Sequence, residues 1–232
     1  EETARRAKFI YINYPNNPTG AVATKAFYEK LVAWAKTYEV GVVSDLAYGA
    51  LGYQGYENPS FLSTPGAKDV GIEFYTFSKT FNMAGWRLAF AAGNDQMIEA
   101  LNLIQDHLFV GIFPALQEAG IAALLDPKSE EAVAQLNATY DSRRDAFVQA
   151  AAKIGWQAFP SRGSFYAWMP VPEGYTSESF ADLLLEKAHV AVAPGKGFGP
   201  AGNAYVRIGL LVEPERLVEA VNRIANLHLF NN

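Results

Sequence analysis

Three short apolar runs, each cut off at a polar residue, limit what this chain can fold into more than any other feature of it. Residues 8–14 are rich in β-branched and aromatic side chains and halt at Pro15-Asn16-Asn17-Pro18-Thr19-Gly20, a cluster of turn formers. Residues 40–43 end at Ser44-Asp45, and residues 72–77 end at Ser78-Lys79. Between the first two runs, residues 24–39 place Phe27, Leu31, Ala35 and Tyr38 at helical spacing among Lys25, Glu29, Lys30 and Lys36. An amphipathic helix is expected there, with Thr24 as its N-cap. Continuous apolar strands alternating with helices need cover on both faces, which is the pattern of an α/β protein with a mostly parallel sheet. Residues 88–92 read as one more strand, joined to Lys79 by too few residues for a helical crossover. That strand is expected to run antiparallel to its predecessor.

Residues 95–154 read as almost wholly helical, broken at Gly111 and Pro114 and again at Asp126-Pro127. One long helix is expected over 128–153, with Pro127 in its first turn. Past Gly155 the texture changes: 156–159, 165–169, 190–193 and 205–210 read as short strands, with helices near 177–187 and 214–227. The expected division is residues 1–127 as one domain and 128–232 as the long connecting helix with a smaller α+β domain. A chain of 232 residues, half of them hydrophobic, is large enough to give both a core.

The net charge of −5 supplies no basic field for nucleic acid or for an anionic membrane, so a small anion must be met by individual Arg or Lys side chains. With no cysteine, disulfides, thiolate metal sites and thiol nucleophiles are excluded, while the compartment stays open and the cytoplasm is the default. The sequence has neither an apolar stretch of membrane-spanning length nor a signal-peptide pattern at its start. It opens without Met and soon enters Phe9-Ile10-Tyr11-Ile12, so a start inside a domain is expected. His107, His189 and His228 are scattered, and no metal site is expected from them.

The chemistry lies at the strand ends. In an open α/β sheet, ligands bind at the carboxyl ends of parallel strands, where Asn17, Asp45 and Lys79 would converge. Each alone is weak, since an Asp or Lys at a strand end is more often a solvated terminus and Pro-Asn-Asn-Pro serves as a turn in its own right. The combination also contains Tyr48 shortly after Asp45 and Arg87 shortly after Lys79. These are the parts a pyridoxal phosphate site needs: an amine for the aldehyde, a carboxylate to keep the pyridine nitrogen protonated, a phenol and an amide for the ring oxygen. A guanidinium completes the set by gripping the phosphate through two parallel hydrogen bonds.

Tyr14-Pro15-Asn16-Asn17-Pro18-Thr19-Gly20 resembles the Asn-Pro-Thr-Gly loop of the fold-type I, class I/II aminotransferases. Ser44-Asp45-Leu46-Ala47-Tyr48 is similar to their Asp-x-x-Tyr segment, and Thr76-Phe77-Ser78-Lys79 through Gly85-Trp86-Arg87 to their Schiff-base segment. Pro194-Gly195-Lys196-Gly197-Phe198-Gly199, followed by Tyr205-Val206-Arg207-Ile208, resembles their C-terminal substrate-binding segment. The resemblance implies the large-domain sheet of that fold in part, with a smaller C-terminal domain. It implies an amino group moved between an L-amino acid and a 2-oxo acid through an imine of Lys79 with pyridoxal phosphate. By it Asn17 and Tyr48 bond the ring oxygen, Asp45 the pyridine nitrogen, and Thr76, Ser78 and Arg87 the phosphate. Arg207, with Asn17, receives the substrate α-carboxylate; on its own an Arg at that point would read as a surface residue on an edge strand.

The resemblance further implies a homodimer when the protein is full length, and that roughly the first two-fifths of a complete enzyme lies outside this sequence. A C–S or β-lyase shares the same cofactor residues and is separated by product analysis. The aminotransferase-like effector domain of a transcription regulator is the reading from another class, separated by the sequence upstream of Glu1. Gly85-Trp86-Arg87 resembles the branch holding aspartate, aromatic and LL-diaminopimelate aminotransferases, which leaves donor and acceptor open. Trp156, Phe165, Tyr166 and Trp168 are expected in the small-domain core, and residues 130–144 as the solvated face of the long helix.

Overall fold

In the computed structural model, which describes residues 1–230, the three apolar runs become three neighbouring strands. A short helix α1 (Glu2–Arg6) leads into β1 (Phe9–Asn13), and α2 (Lys25–Tyr38) carries the chain to β2 (Gly41–Asp45). A small helix α3 (Ala67–Val70) precedes β3 (Gly71–Thr76), which runs straight into α4 (Phe77–Thr80) before β4 (Ala89–Gly93). The order is β1-β2-β3-β4, with both β1–β2 and β2–β3 parallel and β4 antiparallel to β3. The short return from Lys79 thus has the consequence expected of it.

Thr24 caps α2, its hydroxyl oxygen accepting the Phe27 amide N–H at 3.2 Å. The buried face of α2 is Tyr28, Leu31, Val32 and Ala35, which pack with Ile12, Val42, Phe61 and Ala67. Leu31 and Ala35 of the expected face are buried, whereas Tyr28 and Val32 take the places expected of Phe27 and Tyr38, and Phe27 meets the Tyr14 ring edge-on at 5.4 Å. The run over 72–77 also hides a carboxylate. Glu73 is buried in β3 and accepts from Ser44 Oγ at 3.0 Å, from the Phe61 amide at 2.8 Å and from Ser60 Oγ. Three donors around one carboxylate are what burial of a charge requires.

Helices α5 (Asp95–Leu108), α6 (Pro114–Leu125) and α7 (Ser129–Lys153) follow, with the expected breaks between them. Pro127 does not sit in the first turn of α7. Asp126 accepts the Lys128 amide on its side chain at 2.8 Å and the Ser129 amide on its carbonyl at 2.9 Å, so a turn precedes the helix.

By contacts the chain divides into two units: Glu1–Pro15, Val22–Gly52 and Glu57–Leu136 form one; Asn16–Ala21, Tyr53–Tyr56 and Asn137–Asn232 form the other. In the second unit a sheet of order β5-β7-β6 is built from β5 (Tyr166–Pro170), β6 (Ala193–Pro194) and β7 (Tyr205–Gly209), all pairs antiparallel. Helices α8 (Ser177–Leu183) and α9 (Pro214–Ala225) complete it. Ala167, Met169, Val206 and Ile208 alternate along β5 and β7 into a core with Phe147, Trp156, Phe180, Leu184 and Val221. The strand expected over 156–159 does not form. Phe159 donates its amide to the Trp168 carbonyl at 2.9 Å, but Trp156 turns into the core and satisfies its indole N–H on the Pro170 carbonyl at 2.7 Å. The expected strand at 190–193 shrinks to the two residues of β6.

The face of residues 130–144 is also less solvated than expected. Arg143 and Arg144 keep only 15% and 13% of their side-chain surface exposed; Arg143 pairs with Glu213 at 2.6 Å. Arg144 pairs with Asp145 and lies 4.9 Å from the Tyr53 ring centre. Burial holds the Tyr53 hydroxyl well above the ordinary phenol range, with Arg144 opposing that shift.

Replacing Glu73 with Leu strands the donors of Ser44, Ser60 and Phe61, and should cost about 3 kcal/mol against about 1 kcal/mol for Ser44→Ala. Urea melts of both variants check this. Equal, small losses would show that the carboxylate does not organise the segment around it.

Candidate active site

Parallel pairing fixes where the polar strand ends emerge. Asp45 closes β2 and lies opposite Phe74 of β3, and Thr76 closes β3 two residues later, so both leave the sheet at its carboxyl edge. The Asp45 backbone is held by Asn13, whose side-chain amide donates to the Asp45 carbonyl at 3.0 Å. Its carboxylate is oriented by the Ala47 amide, which donates to Oδ1 at 3.0 Å. Tyr48, one turn on, is buried.

Thr76 is the N-cap of α4. Its hydroxyl accepts the Ser78 amide at 3.2 Å and lies 3.0 Å from Ser78 Oγ. Phe77 and Thr80 face inward, with Thr80 Oγ1 2.6 Å from the Tyr75 hydroxyl. Burial lifts the Tyr75 phenol above its ordinary range, and the bond to Thr80 works against that. With positions 77 and 80 committed to the interior, Ser78 and Lys79 are left on the opposite, half-buried side of this single turn. The Leu88 carbonyl accepts the Phe77 amide at 3.2 Å, which brings the preceding Arg87 to the start of α4. Arg87 is exposed, sits in left-handed backbone at φ 52°, and donates to the Ala84 carbonyl at 3.1 Å. The first unit therefore gathers Thr76, Ser78, Lys79 and Arg87 around one turn, with Asp45 on the adjacent strand end.

The second unit gathers Asn17 and Arg207. The loop is closed by Asn16, whose Oδ1 accepts the Thr19 amide at 3.2 Å and the Thr19 hydroxyl at 2.7 Å. Gly20 takes φ 70° and packs so closely that a Cβ there would lie 2.0 Å from Ser161 Oγ, which explains the glycine. Arg207 donates through Nη1 to Asn17 Oδ1 at 2.7 Å. Its guanidinium carbon lies 4.2 Å from the Tyr166 ring centre and 4.7 Å from that of Phe198. Antiparallel register explains the grouping: Trp168 pairs with Arg207, Tyr166 with Gly209 and Pro170 with Tyr205. Tyr166, Trp168, Tyr205 and Arg207 thus share the face turned away from the core. Tyr166 corrects the expectation that all four aromatics of that stretch are core, since it is half-buried beneath a cation. Nothing in the sequence alone marks either it or Phe198 for a role beside Arg207.

A cavity of about 510 Å³ opens here, lined by Asn16, Asn17, Thr19, Trp168, Phe198 and Tyr205 among others. A comparable one of about 540 Å³ on the first unit, against Phe9, Tyr11, Phe74 and Ile104, is lined by none of the candidate residues. Among the described residues Arg207 has no carboxylate partner, whereas Arg143, Arg144, Arg216 and Arg223 all have one. An uncompensated guanidinium held by a neutral amide is suited to an incoming carboxylate.

The sequence model of the family described as Aminotransferase class I and II matches residues 1–224. The chain is 58% identical over 229 residues to L-glutamine–4-(methylsulfanyl)-2-oxobutanoate aminotransferase of Bacillus subtilis (strain 168), covering 99% of this chain and 57% of that protein. It is 48% identical over 223 residues to LL-diaminopimelate aminotransferase of Moorella thermoacetica, covering 96% and 57%. Among solved structures, an aminotransferase from Staphylococcus aureus superposes with a TM-score of 0.95 at 40% identity, covering all of this chain and 61% of that one. The chain thus spans somewhat over half the length of these relatives.

Asn17→Asp would place a carboxylate on Arg207 and neutralise it from within. Affinity for a small monocarboxylate should then fall by about 1.5–3 kcal/mol, roughly ten- to a hundredfold. Calorimetric titration reads it, and unchanged affinity would remove Arg207 as the anion's partner.

Proposed function

Because the chain belongs to the class I and II aminotransferases, a pyridoxal-phosphate-dependent family, we propose that its protein moves an amino group between an L-amino acid and a 2-oxo acid, with Lys79 as the catalytic lysine. The observation that carries this reading is Lys79, set just past the carboxyl end of β3, while Asp45 closes the parallel neighbour β2. The donor set fits the cofactor. Asp45 offers Oδ2, which has no hydrogen-bond partner among the described residues, to the pyridine nitrogen. Thr76 and Ser78 hydroxyls and the exposed Arg87 guanidinium suit a phosphate, and Tyr48 and Asn17 are assigned to the ring oxygen.

When bound, pyridoxal phosphate supplies an electron sink that acidifies the substrate Cα–H. Asp45, as a carboxylate, favours the protonated pyridine nitrogen on which that sink depends. Lys79 Nζ takes the proton from Cα, so the direction of that bond matters as much as affinity. Arg207 supplies the orientation: its planar fork holds the α-carboxylate with two hydrogen bonds, where a point charge would leave it free to swing.

The relative from B. subtilis is named for glutamine and 4-(methylsulfanyl)-2-oxobutanoate, and that from M. thermoacetica for LL-diaminopimelate. We take the first as the guide to substrate. The walls of Trp168, Phe198 and Tyr205 beside Asn17 suit a soft, unbranched thioether better than a second charge. The reading treats residues 1–127 as the C-terminal half of a cofactor-binding large domain and 128–232 as connecting helix and small domain. It also takes a cytoplasmic homodimer as the working form. Exposed Leu108, Phe109, Val110 and Phe113 on the first unit support further apolar contact there. No described helix is long and apolar enough to cross a membrane.

Borohydride treatment of the cofactor-loaded protein, followed by peptide mapping, should place the pyridoxyl group on Lys79; labelling of another lysine overturns the assignment. Asp45→Ala should slow proton abstraction at least about a hundredfold, the scale for losing one preorganised electrostatic partner. Single-turnover kinetics on the loaded variant measure it, and a rate near wild type would refute the role of Asp45.

A further inference from the structure

Arg207 is held in an unusual way for a cation that is to receive an anion. Two aromatic rings lie against its guanidinium, Tyr166 at 4.2 Å and Phe198 at 4.7 Å, and one terminal nitrogen is taken by Asn17. The rings leave the guanidinium attractive to anions, because a π-face stabilises a cation without cancelling its charge. The N–H donors of a guanidinium lie in its plane, so a hydrogen-bonding partner meets it at an edge.

Phe198 is presented with some precision for a side chain that remains 42% exposed. It ends the 3₁₀ turn Gly195–Phe198, and Gly195 is packed so tightly on the return of the loop that a Cβ would lie 2.2 Å from the Gly202 carbonyl. The Lys196 amide donates to buried Ser177 Oγ at 3.2 Å, and the Phe198 ring meets Trp168 edge-on at 6.1 Å. Tyr166 is fixed by its strand, and Phe165 crosses its ring at 4.8 Å. An exposed phenylalanine on a locked turn adds little to the core; its contact with Arg207 is what its position achieves.

We infer that Tyr166 and Phe198 are positioning residues that clamp the Arg207 guanidinium in one plane, so that a substrate α-carboxylate is met edge-on by two parallel N–H donors. The inference rests on the reading that Arg207 receives this carboxylate. A free guanidinium on a long side chain would keep its rotational freedom and lose it only on binding, which weakens the complex and blurs the direction of the Cα–H bond.

The test uses the holoenzyme with Phe198→Leu, Tyr166→Leu, Tyr166→Phe and Arg207→Lys. The readouts are the dissociation constant of 4-(methylsulfanyl)butanoate by calorimetry, KM and kcat for L-methionine, and the half-reaction with 3-(methylsulfanyl)propylamine, which lacks the carboxylate. Both Leu variants should raise the carboxylate Kd and the L-methionine KM about 3- to 30-fold, the range spanned by a partly desolvated cation–π contact. Tyr166→Phe keeps the ring and should stay within about twofold, while each Leu variant should lose several-fold less in the amine half-reaction than in that with L-methionine. If Arg207→Lys weakens carboxylate binding and the Leu variants do not, the clamp is wrong while the role of Arg207 stands. If Arg207→Lys itself leaves carboxylate binding unchanged, the underlying reading fails and the clamp with it. Equal losses for amine and amino acid would mark the rings as general packing and overturn the inference. Phe198→Leu, at an exposed position, keeps the test available if Tyr166→Leu does not fold.

Discussion

The parallel pairing of β1, β2 and β3 is the constraint from which the rest of the first unit follows. Parallel strands cannot be joined by a hairpin, so each pair needs a crossover, and a sheet of this kind needs cover on both faces. Helix α2 provides one crossover, with its Tyr28, Leu31, Val32 and Ala35 stripe on the sheet. The other, over 46–70, is mostly irregular and is tied down by the buried carboxylate of Glu73 through Ser60 and Phe61. Because all three strands point the same way, whatever follows their last apolar residue emerges at one edge. That geometry turns Asp45 and Ser78-Lys79 from scattered polar residues into neighbours on adjacent strand ends.

The second unit solves a different problem, the recognition of a charge, and does so with neutral groups. Most of the ion pairs recorded here lie on or between exposed helical surfaces, where their worth is small. Arg207 is the contrast: an amide oxygen and two rings hold it, and its charge stays available. Electrostatic preorganisation of this sort costs stability where it stands, since a partly buried cation is kept from its best partner, and returns the cost only when an anion arrives.

Much of this was legible from residue order. The alternation of apolar runs with one amphipathic stretch gave the parallel sheet, the short return after Lys79 gave the antiparallel β4, and Thr24 gave the helix start, because each signal is local. Where tertiary contacts decide, reading by sequence fell short. At the ends of the α2 face Tyr28 and Val32 are buried in place of Phe27 and Tyr38, and Phe27 meets the Tyr14 ring. Glu73 passed unnoticed in an apolar run because its donors lie at 44, 60 and 61. Trp156 lies in the core as its sequence context suggests, but outside a strand, because its indole N–H, which needs a partner when buried, finds one across the core. Tyr166 reads as core in the sequence, since its partner Arg207 becomes its neighbour only through the β5–β7 register. The candidate residues themselves stood out in the sequence, whereas the groups that hold them did not.

Two short stretches of the second unit, Asn16–Ala21 and Tyr53–Tyr56, are threaded through the chain of the first. Cutting the polypeptide at the long helix would therefore not release a self-sufficient half. The piece beginning at residue 137 would keep Arg207, Arg144 and Ser161 but leave behind Asn17, Tyr53 and Gly20, the neighbours that orient or enclose them. Recombination between related genes at that point would join an arginine to whatever amide the other parent happened to supply. The two stretches of sequence are thus obliged to change together in evolution, a form of heritable linkage imposed by the path of the backbone.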